Sequence, residues 1–296
     1  IMQTPLLNAP PGVRWNPRTG KADALFWAPE AKSISIEITN GPSYALKQAD
    51  MGFWKTENLP VQPGDRYRIR INHQKKIPDP ASLAQPRGVH GPSQVTDIQT
   101  YPWTDKQWKG LPLHNLIIYE LHTDTFTPEG TFSGIAGQLD HLKELGIDAI
   151  ELMPVAHFPG NRNWGYDGVF PFAVHQTYGG AHELQKLVDL CHEKGLAVIL
   201  DVVYNHLGPE GNYLHELGPV FTGKYQTPWG NAINFDDAWC DGVRHFFIQN
   251  ALMWLRDFHI DGLRLDAVHA IKDLGAQHFL ADLKKAVENL NETTGR

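Results

Sequence analysis

Cysteine is nearly absent from this 296-residue chain: Cys191 and Cys240 are the only two. Two are too few for a disulfide framework, so both read as reduced thiols. Long apolar runs are missing as well. The longest, such as residues 195–200, stop far short of the ~20 residues a membrane helix needs. Positive charge is scarce, with 26 Lys and Arg against 33 Asp and Glu, a net charge of −7. No stretch concentrates the basic residues, which argues against a nucleic-acid partner. No basic start followed by a short apolar stretch opens the chain, so no secretory signal is expected. The 15 histidines include neither a His-Glu-x-x-His spacing nor a Cys/His cluster, and no zinc or other metal site is expected. No glycine-rich phosphate loop follows a strand, so no nucleotide or other cofactor is expected either. These absences point to a soluble, cytoplasmic protein without a membrane partner, and leave its oligomeric state open.

What is present suits a globular core: 42% apolar and 20% charged residues, against the low hydrophobicity of disordered chains. At ~150 residues per domain the length suggests about two domains. The ends carry a further expectation. Ile1 precedes Met2, which is not how a reading frame opens, and residues 291–296 form a polar stretch after a predicted helix. That stretch reads as a connection to a further element.

The period of the apolar pattern changes along the chain. Residues 33–38 alternate through Ile34, Ile36 and Ile38, and residues 65–71 through Tyr67, Ile69 and Ile71. Residues 24–27 and 52–56 fit as further strands, with Pro and Gly turn signals between. Residues 1–105 are therefore expected to form a β-sandwich. Trp15, Trp27 and Trp54 could stack on sugars there, but core packing is the better expectation for each. A stretch rich in Pro and Trp, 101–113, leads into a second region, 106–296. Residues 116–119 form a continuous apolar run, as for a strand covered on both faces. A helix follows with Ile135, Leu139, Leu142 and Leu145 on one stripe, closed by Gly146. Further strands are expected at 149–153, 196–203 and 262–266. Helices are expected around Leu184 to Cys191, at 241–258 with Val243, Phe247, Leu252 and Leu255 inward, and around Phe279 to Leu290. Four strand–helix repeats imply a parallel sheet with right-handed crossovers. A complete (β/α)8 barrel takes ~250 residues, so the pattern predicts the first half of a TIM-type barrel or a small open α/β sheet.

The chemistry gathers at strand ends. Along 262–266, alternation puts Arg264 and Asp266 on one face. A guanidinium there would hold the carboxylate ionised. A carboxylate at the C-terminal end of a parallel strand is what attack on an anomeric carbon requires. A buried ion pair that only holds strands together would look the same. Asp201, a charge inside an apolar run, needs a partner when buried, and Arg264 on the adjacent strand is the natural one. Tyr204, Asn205 and His206 follow. The loop 154–180 carries Asn163-Trp164-Gly165-Tyr166-Asp167-Gly168, whose glycines can present a flat ring to a sugar. The loop 207–235 presents Trp229 beside Gly230 in similar fashion.

Two segments, Asp201-Val202-Val203-Tyr204-Asn205-His206 and Gly262-Leu263-Arg264-Leu265-Asp266-Ala267-Val268-His269, resemble the strand-three and strand-four motifs of the α-amylase family of glycoside hydrolases. Tyr119 to His122, Phe126 to Phe132, Glu151 to Ala156, Arg162 to Gly168 and His206 to Tyr213 resemble that family's trehalose-releasing members. Branching enzymes usually carry Trp and Pro where Val202 and Tyr204 stand. The resemblance implies a maltooligosyltrehalose or related α-glucan as partner, and retaining hydrolysis of the α-1,4 bond beside a terminal trehalose. It implies Asp266 as nucleophile, Arg264 as its orienting group and Asp201 as the arginine's structural partner. Tyr166 would stack on the sugar before the cleaved bond, His206 would contact it, and His269 would lie toward the leaving group. The family's acid glutamate and a supporting aspartate would lie beyond Arg296, so the chain alone is expected to be nearly inactive. A non-catalytic glucan-binding protein is the competing reading.

Overall fold

Alternating apolar residues in the first hundred positions build nine short strands. The computed structural model describes residues 5–295; Ile1 to Thr4 and Arg296, where the expectations about the chain ends fall, lie outside them. The strands are β1 (Gly12–Asn16), β2 (Lys21–Trp27), β3 (Ile34–Ile38), β4 (Ser43–Ala45), β5 (Lys47–Gln48), β6 (Phe53–Leu59), β7 (Arg66–Ile71), β8 (Lys75–Ile77) and β9 (Ser93–Gln94). They form two antiparallel sheets, ordered β1-β2-β6-β5 and β4-β3-β7-β8, with β9 also on β7. Ile34, Ile36, Tyr67, Ile69 and Ile71 are all buried, as their alternation predicts. Trp27 and Trp54 are core residues, and Trp15 is half-buried.

Four parallel strands follow, β10 (Ile118–Leu121), β11 (Ala149–Leu152), β14 (Ala197–Val202) and β17 (Gly262–Leu265), ordered β10-β11-β14-β17. Two hairpins interrupt them: β12 (Ala156–His157) with β13 (Phe170–Val174), and β15 (Phe221–Thr227) with β16 (Gly230–Ile233). The helices are α1 (Thr123–Phe126), α2 (Phe132–Ala136), α3 (Leu139–Glu144), α4 (Gly180–Glu193), α5 (Cys240–Asp257) and α6 (Phe279–Thr294). Leu184, Leu187, Val188 and Cys191 form the buried stripe of α4. Gly195 follows with φ +69°, a left-handed conformation that costs glycine little.

Several expectations need correction. The helix drawn through Ile135 and Leu145 is two helices, because the chain breaks at Gly137 and Gln138, and Leu145 is exposed rather than inward. On α5, Ala251, Met253 and Trp254 are buried while Leu252 and Leu255 are only partly so, a wider stripe turned slightly from the expected one. The apolar run at 116–119 is not covered on both faces. Ile117, Ile118 and Tyr119 are exposed because β10 is an edge strand with β11 on one side only. Residues 291–294 belong to α6, and Gly295 caps it at φ +70°.

The segment joining the two regions is pinned by charge and stacking. Asp105 meets His192 Nδ1 at 2.9 Å and His259 Nδ1 at 2.8 Å. Trp108 donates to Asp261 at 2.6 Å and stacks on His192. The N-terminal sheets rest on α5, where His245 and Gln249 donate to the Ala9 and Leu7 carbonyls. Gly242 of α5 lies against the Trp27 indole, where a Cβ would come within 2.2 Å of the ring.

Candidate active site

Parallel pairing places Asp201 of β14 directly beside Arg264 of β17. One guanidinium nitrogen, Nη1, donates to Asp201 Oδ2 at 2.8 Å and to Asp266 Oδ1 at 3.0 Å. Arg264 and Asp266 therefore share a face. Asp266 sits one residue past the strand, its amide still on the ladder through the Val202 carbonyl at 3.0 Å. Ala267 then takes φ +40°, an unfavourable conformation for a residue with a Cβ, and turns the chain away into the 3-10 turn Val268–Ala270. The turn leaves the Asp266 carboxylate at the strand tip.

Tyr166 approaches from the loop after β11, its hydroxyl donating to Asp201 Oδ2 at 2.9 Å. Asp201 is buried, and its Oδ1 has no partner among the described residues. Burial pushes the Asp201 carboxyl up against the pull of Arg264 and Tyr166. The bond to Asp201 raises Arg264, and burial followed by the nearby Asp201 charge raises the Tyr166 phenol. Two hydrogen bonds and a charge thus converge on one carboxylate oxygen, which holds Arg264 in place for Asp266.

The loop can come this close because of glycine. At Gly165 (φ +99°) a Cβ would lie 2.2 Å from the Pro154 carbonyl, and at Gly208 one would lie 2.1 Å from that of Asp167. His206 is buried, donates from Nε2 to the Tyr166 carbonyl at 2.8 Å and accepts at Nδ1 from Asn205 at 2.8 Å. Burial pushes its imidazole below the usual histidine range. Trp229, at the tip of the β15–β16 hairpin, stacks flat on His206 with centroids 4.5 Å apart and planes 3° from parallel. Its other face is half-exposed.

Asp201, Arg264, Asp266, Tyr166, His206 and Trp229 are therefore brought together. His269 is exposed on the 3-10 turn three residues past Asp266 and makes no hydrogen bond to any of them. Two acidic residues escaped the reading of the sequence. Glu120 and Glu151 face each other on β10 and β11, and each brings a carboxylate oxygen within 4.8 Å of the other and of Asp201. Oxygen donors so grouped are what a hard cation uses. Burial, then Glu120 and Asp201, raise the Glu151 carboxyl. The signal was available, since each is a charge inside an apolar strand, as Asp201 is.

Comparison with known proteins bears on the family. Residues 92–226 match the alpha amylase catalytic domain model. The chain is 48% identical over 267 residues to the malto-oligosyltrehalose trehalohydrolase of Saccharolobus solfataricus, covering 90% of this chain and 47% of that protein. It is 45% identical over 277 residues to that of Arthrobacter ramosus, covering 91% and 48%. A Salmonella typhimurium crystal structure, solved as that of a candidate alpha amylase, superposes with a TM-score of 0.88 at 39% identity, covering 94% of this chain and 47% of that one. The chain spans about half the length of the curated relatives it matches. On sequence and fold together, the chain belongs to the α-amylase family of glycoside hydrolases.

Proposed function

We propose that this chain supplies the nucleophile side of a retaining glycoside hydrolase that cleaves the α-1,4 bond next to the terminal trehalose of a maltooligosyltrehalose and releases trehalose. In this reading residues 1–105 are a β-sandwich and residues 106–296 the first four βα units of a (β/α)8 barrel. The observation that carries it is the single Arg264 nitrogen shared by Asp201 and Asp266 at adjacent parallel strand tips. Relatives 48% and 45% identical that bear the trehalohydrolase name support the substrate.

Asp266 attacks the anomeric carbon and forms a glycosyl ester, which water then opens. Arg264 fixes the carboxylate in line. Tyr166 and Trp229 offer aromatic faces to the sugar, with His206 stacked on Trp229 and bonded to the Tyr166 carbonyl. Because both His206 nitrogens are already bonded within the protein, its contact with a sugar hydroxyl requires one of those bonds to be exchanged. His269, exposed on the 3-10 turn just past Asp266, lies toward the leaving-group side in this reading. In this reading the acid that protonates the leaving oxygen is the glutamate that the family resemblance places on a further strand, beyond residue 296. Without that acid, a loss of ~10²–10⁴-fold in rate follows.

The test is trehalose release from maltotriosyltrehalose by the complete protein and its Asp266→Asn variant. Turnover falls by roughly 10⁴-fold or more while oligosaccharide binding is kept. A fully active variant removes Asp266 from the role. The 296-residue chain alone releases almost none, and ordinary enzyme rates from it would overturn the placement of the acid.

A further inference from the structure

The stretch between β14 and β15, residues 203–220, carries His206 near its root and contains only the 3-10 turn Leu214–Glu216. Irregular loops longer than ~12–15 residues are uncommon in compact domains, and they move unless something ties them down. Here the tie comes from the N-terminal sheets, through the long connection between β8 and β9.

Val89 of that connection is buried against Val169, Phe170 and Ala173, a small apolar cluster beside the half-buried Tyr213. Val169 directly follows the loop 163–168 that bears Tyr166. Gly211 (φ +76°) lets the 203–220 stretch close over Val89, since a Cβ there would lie 2.4 Å from that of the valine. His90 comes next. In the tautomer protonated at Nε2, its Nδ1 accepts from the Tyr213 hydroxyl at 2.7 Å and Nε2 donates to Glu210 at 3.4 Å. The ring stands edge-on to that of Tyr213. Behind it, Arg68 of β7 donates to the His90 carbonyl at 2.7 Å, and Lys75 of β8 pairs with Glu216. On the far side of the stretch, Gly208 donates to the Gly168 carbonyl at 3.2 Å and His206 to the Tyr166 carbonyl at 2.8 Å. A continuous set of contacts thus runs from β7 to the backbone of Tyr166.

We propose that His90 and Tyr213 form a clasp by which the N-terminal sheets hold the loops of Tyr166 and His206 ready for substrate. Both are positioning residues, acting through the loops rather than on the sugar. Loops ordered in advance spare substrate binding the cost of ordering them. The roles of Tyr166 and His206 rest on the function proposed above.

Two measurements on the complete protein test this: the kinetics of trehalose release from maltotriosyltrehalose, and amide hydrogen exchange over residues 163–168. The His90 side chain is 60% exposed, so His90→Ala removes little packing and should leave the Tm within about 2 °C. His90→Ala and Tyr213→Phe should each raise KM by about 3–10-fold, the worth of one hydrogen bond, with kcat within twofold and faster exchange at 163–168. The double variant should be no worse than His90→Ala, because both changes remove the same bond. His90→Asn, whose Oδ1 can stand where Nδ1 stood, should bring KM back to within twofold of the parent. Unchanged KM or unchanged exchange in both single variants overturns the proposal. So does a KM rise in His90→Ala alone, which would mean that the imidazole meets the sugar itself. Should the complete parent release no trehalose, the hydrolase reading fails, while the exchange comparison still decides the clasp.

Discussion

A single nitrogen of Arg264 serves two carboxylates, so the geometry of that side chain matters more than its charge. Lysine would keep the charge but offer a flexible ammonium in place of a rigid planar group. Arg264→Lys in the complete protein is therefore expected to lower kcat by roughly 10²-fold, the cost of a misplaced reacting group, with a much smaller change in KM. A KM effect alone would mean that Arg264 only binds substrate. Tyr166 permits a finer division, because its ring is proposed to stack on the sugar while its hydroxyl reaches Asp201. Tyr166→Phe removes one hydrogen bond to Asp201 and should reduce kcat by about 3–10-fold. Tyr166→Ala should also raise KM, and equal kinetics for the two variants would dismiss the hydroxyl's role. Glu151 titrates against its neighbours in the opposite sense. Its folded carboxyl is raised from 4.5, so the stability of the protonated form is complete below 4.5 and lost as pH rises through the folded value. Glu151→Gln relieves that repulsion at neutral pH. The Tm of the chain should rise by about 1–2 °C at pH 7.5, a modest figure for a half-exposed group, and the gain should vanish by pH 4.

Elements bring these residues together, and some were easier to read than others. The strand-three and strand-four tips were legible because a charge inside an apolar run must be paired, and the pairing of Asp201 with Arg264 follows. Periodicity likewise located α5 within a residue of each end and found the inward stripe of α4, though not its start at Gly180. It failed where tertiary context decides. An apolar run cannot say whether its neighbours are present, and Ile118 and Tyr119 lie exposed on an edge strand. The β15–β16 hairpin that carries Trp229 was not foreseen because its strands are mostly polar and exposed, so no alternation marks them. The seat between α5 and the N-terminal sheets was equally invisible, since it depends on a glycine meeting a tryptophan from over two hundred residues away. Gly242 is where that seat can be tested. A methyl there would lie 2.2 Å from the Trp27 ring. Overpacking of this kind costs about 1–3 kcal/mol, and in a chain this long Gly242→Ala should lower the Tm by about 2–10 °C. An unchanged Tm would show that the two regions are not packed through this contact.

Across the whole molecule, buried histidines set the response to acid. Burial lowers His157 from 6.5 to about 3 and His245 to about 4, and depresses His175 and His206 in the same direction. For a base with a depressed folded value, stability is complete above the unfolded value. It is lost as pH falls from about 6.5 toward the folded value, because only the unfolded chain takes up the proton. Asp79 and Asp201 work the other way, since burial raises both from 3.8 and favours the folded state as they protonate. His157 isolates the histidine contribution: it is buried, stacked on His175 with centroids 4.6 Å apart, and neither ring nitrogen has a partner among the described residues. Phenylalanine keeps the flat apolar ring and removes both the orphaned nitrogens and the titration. His157→Phe should therefore be at least as stable as the parent at pH 7.5. At pH 5 the parent pays for protonation at 1.5 units below 6.5, about 2 kcal/mol, so the gap in Tm should widen by about 4–8 °C. Parallel curves of Tm against pH for the two proteins would show that His157 takes up its proton in the folded state and contributes nothing to acid unfolding.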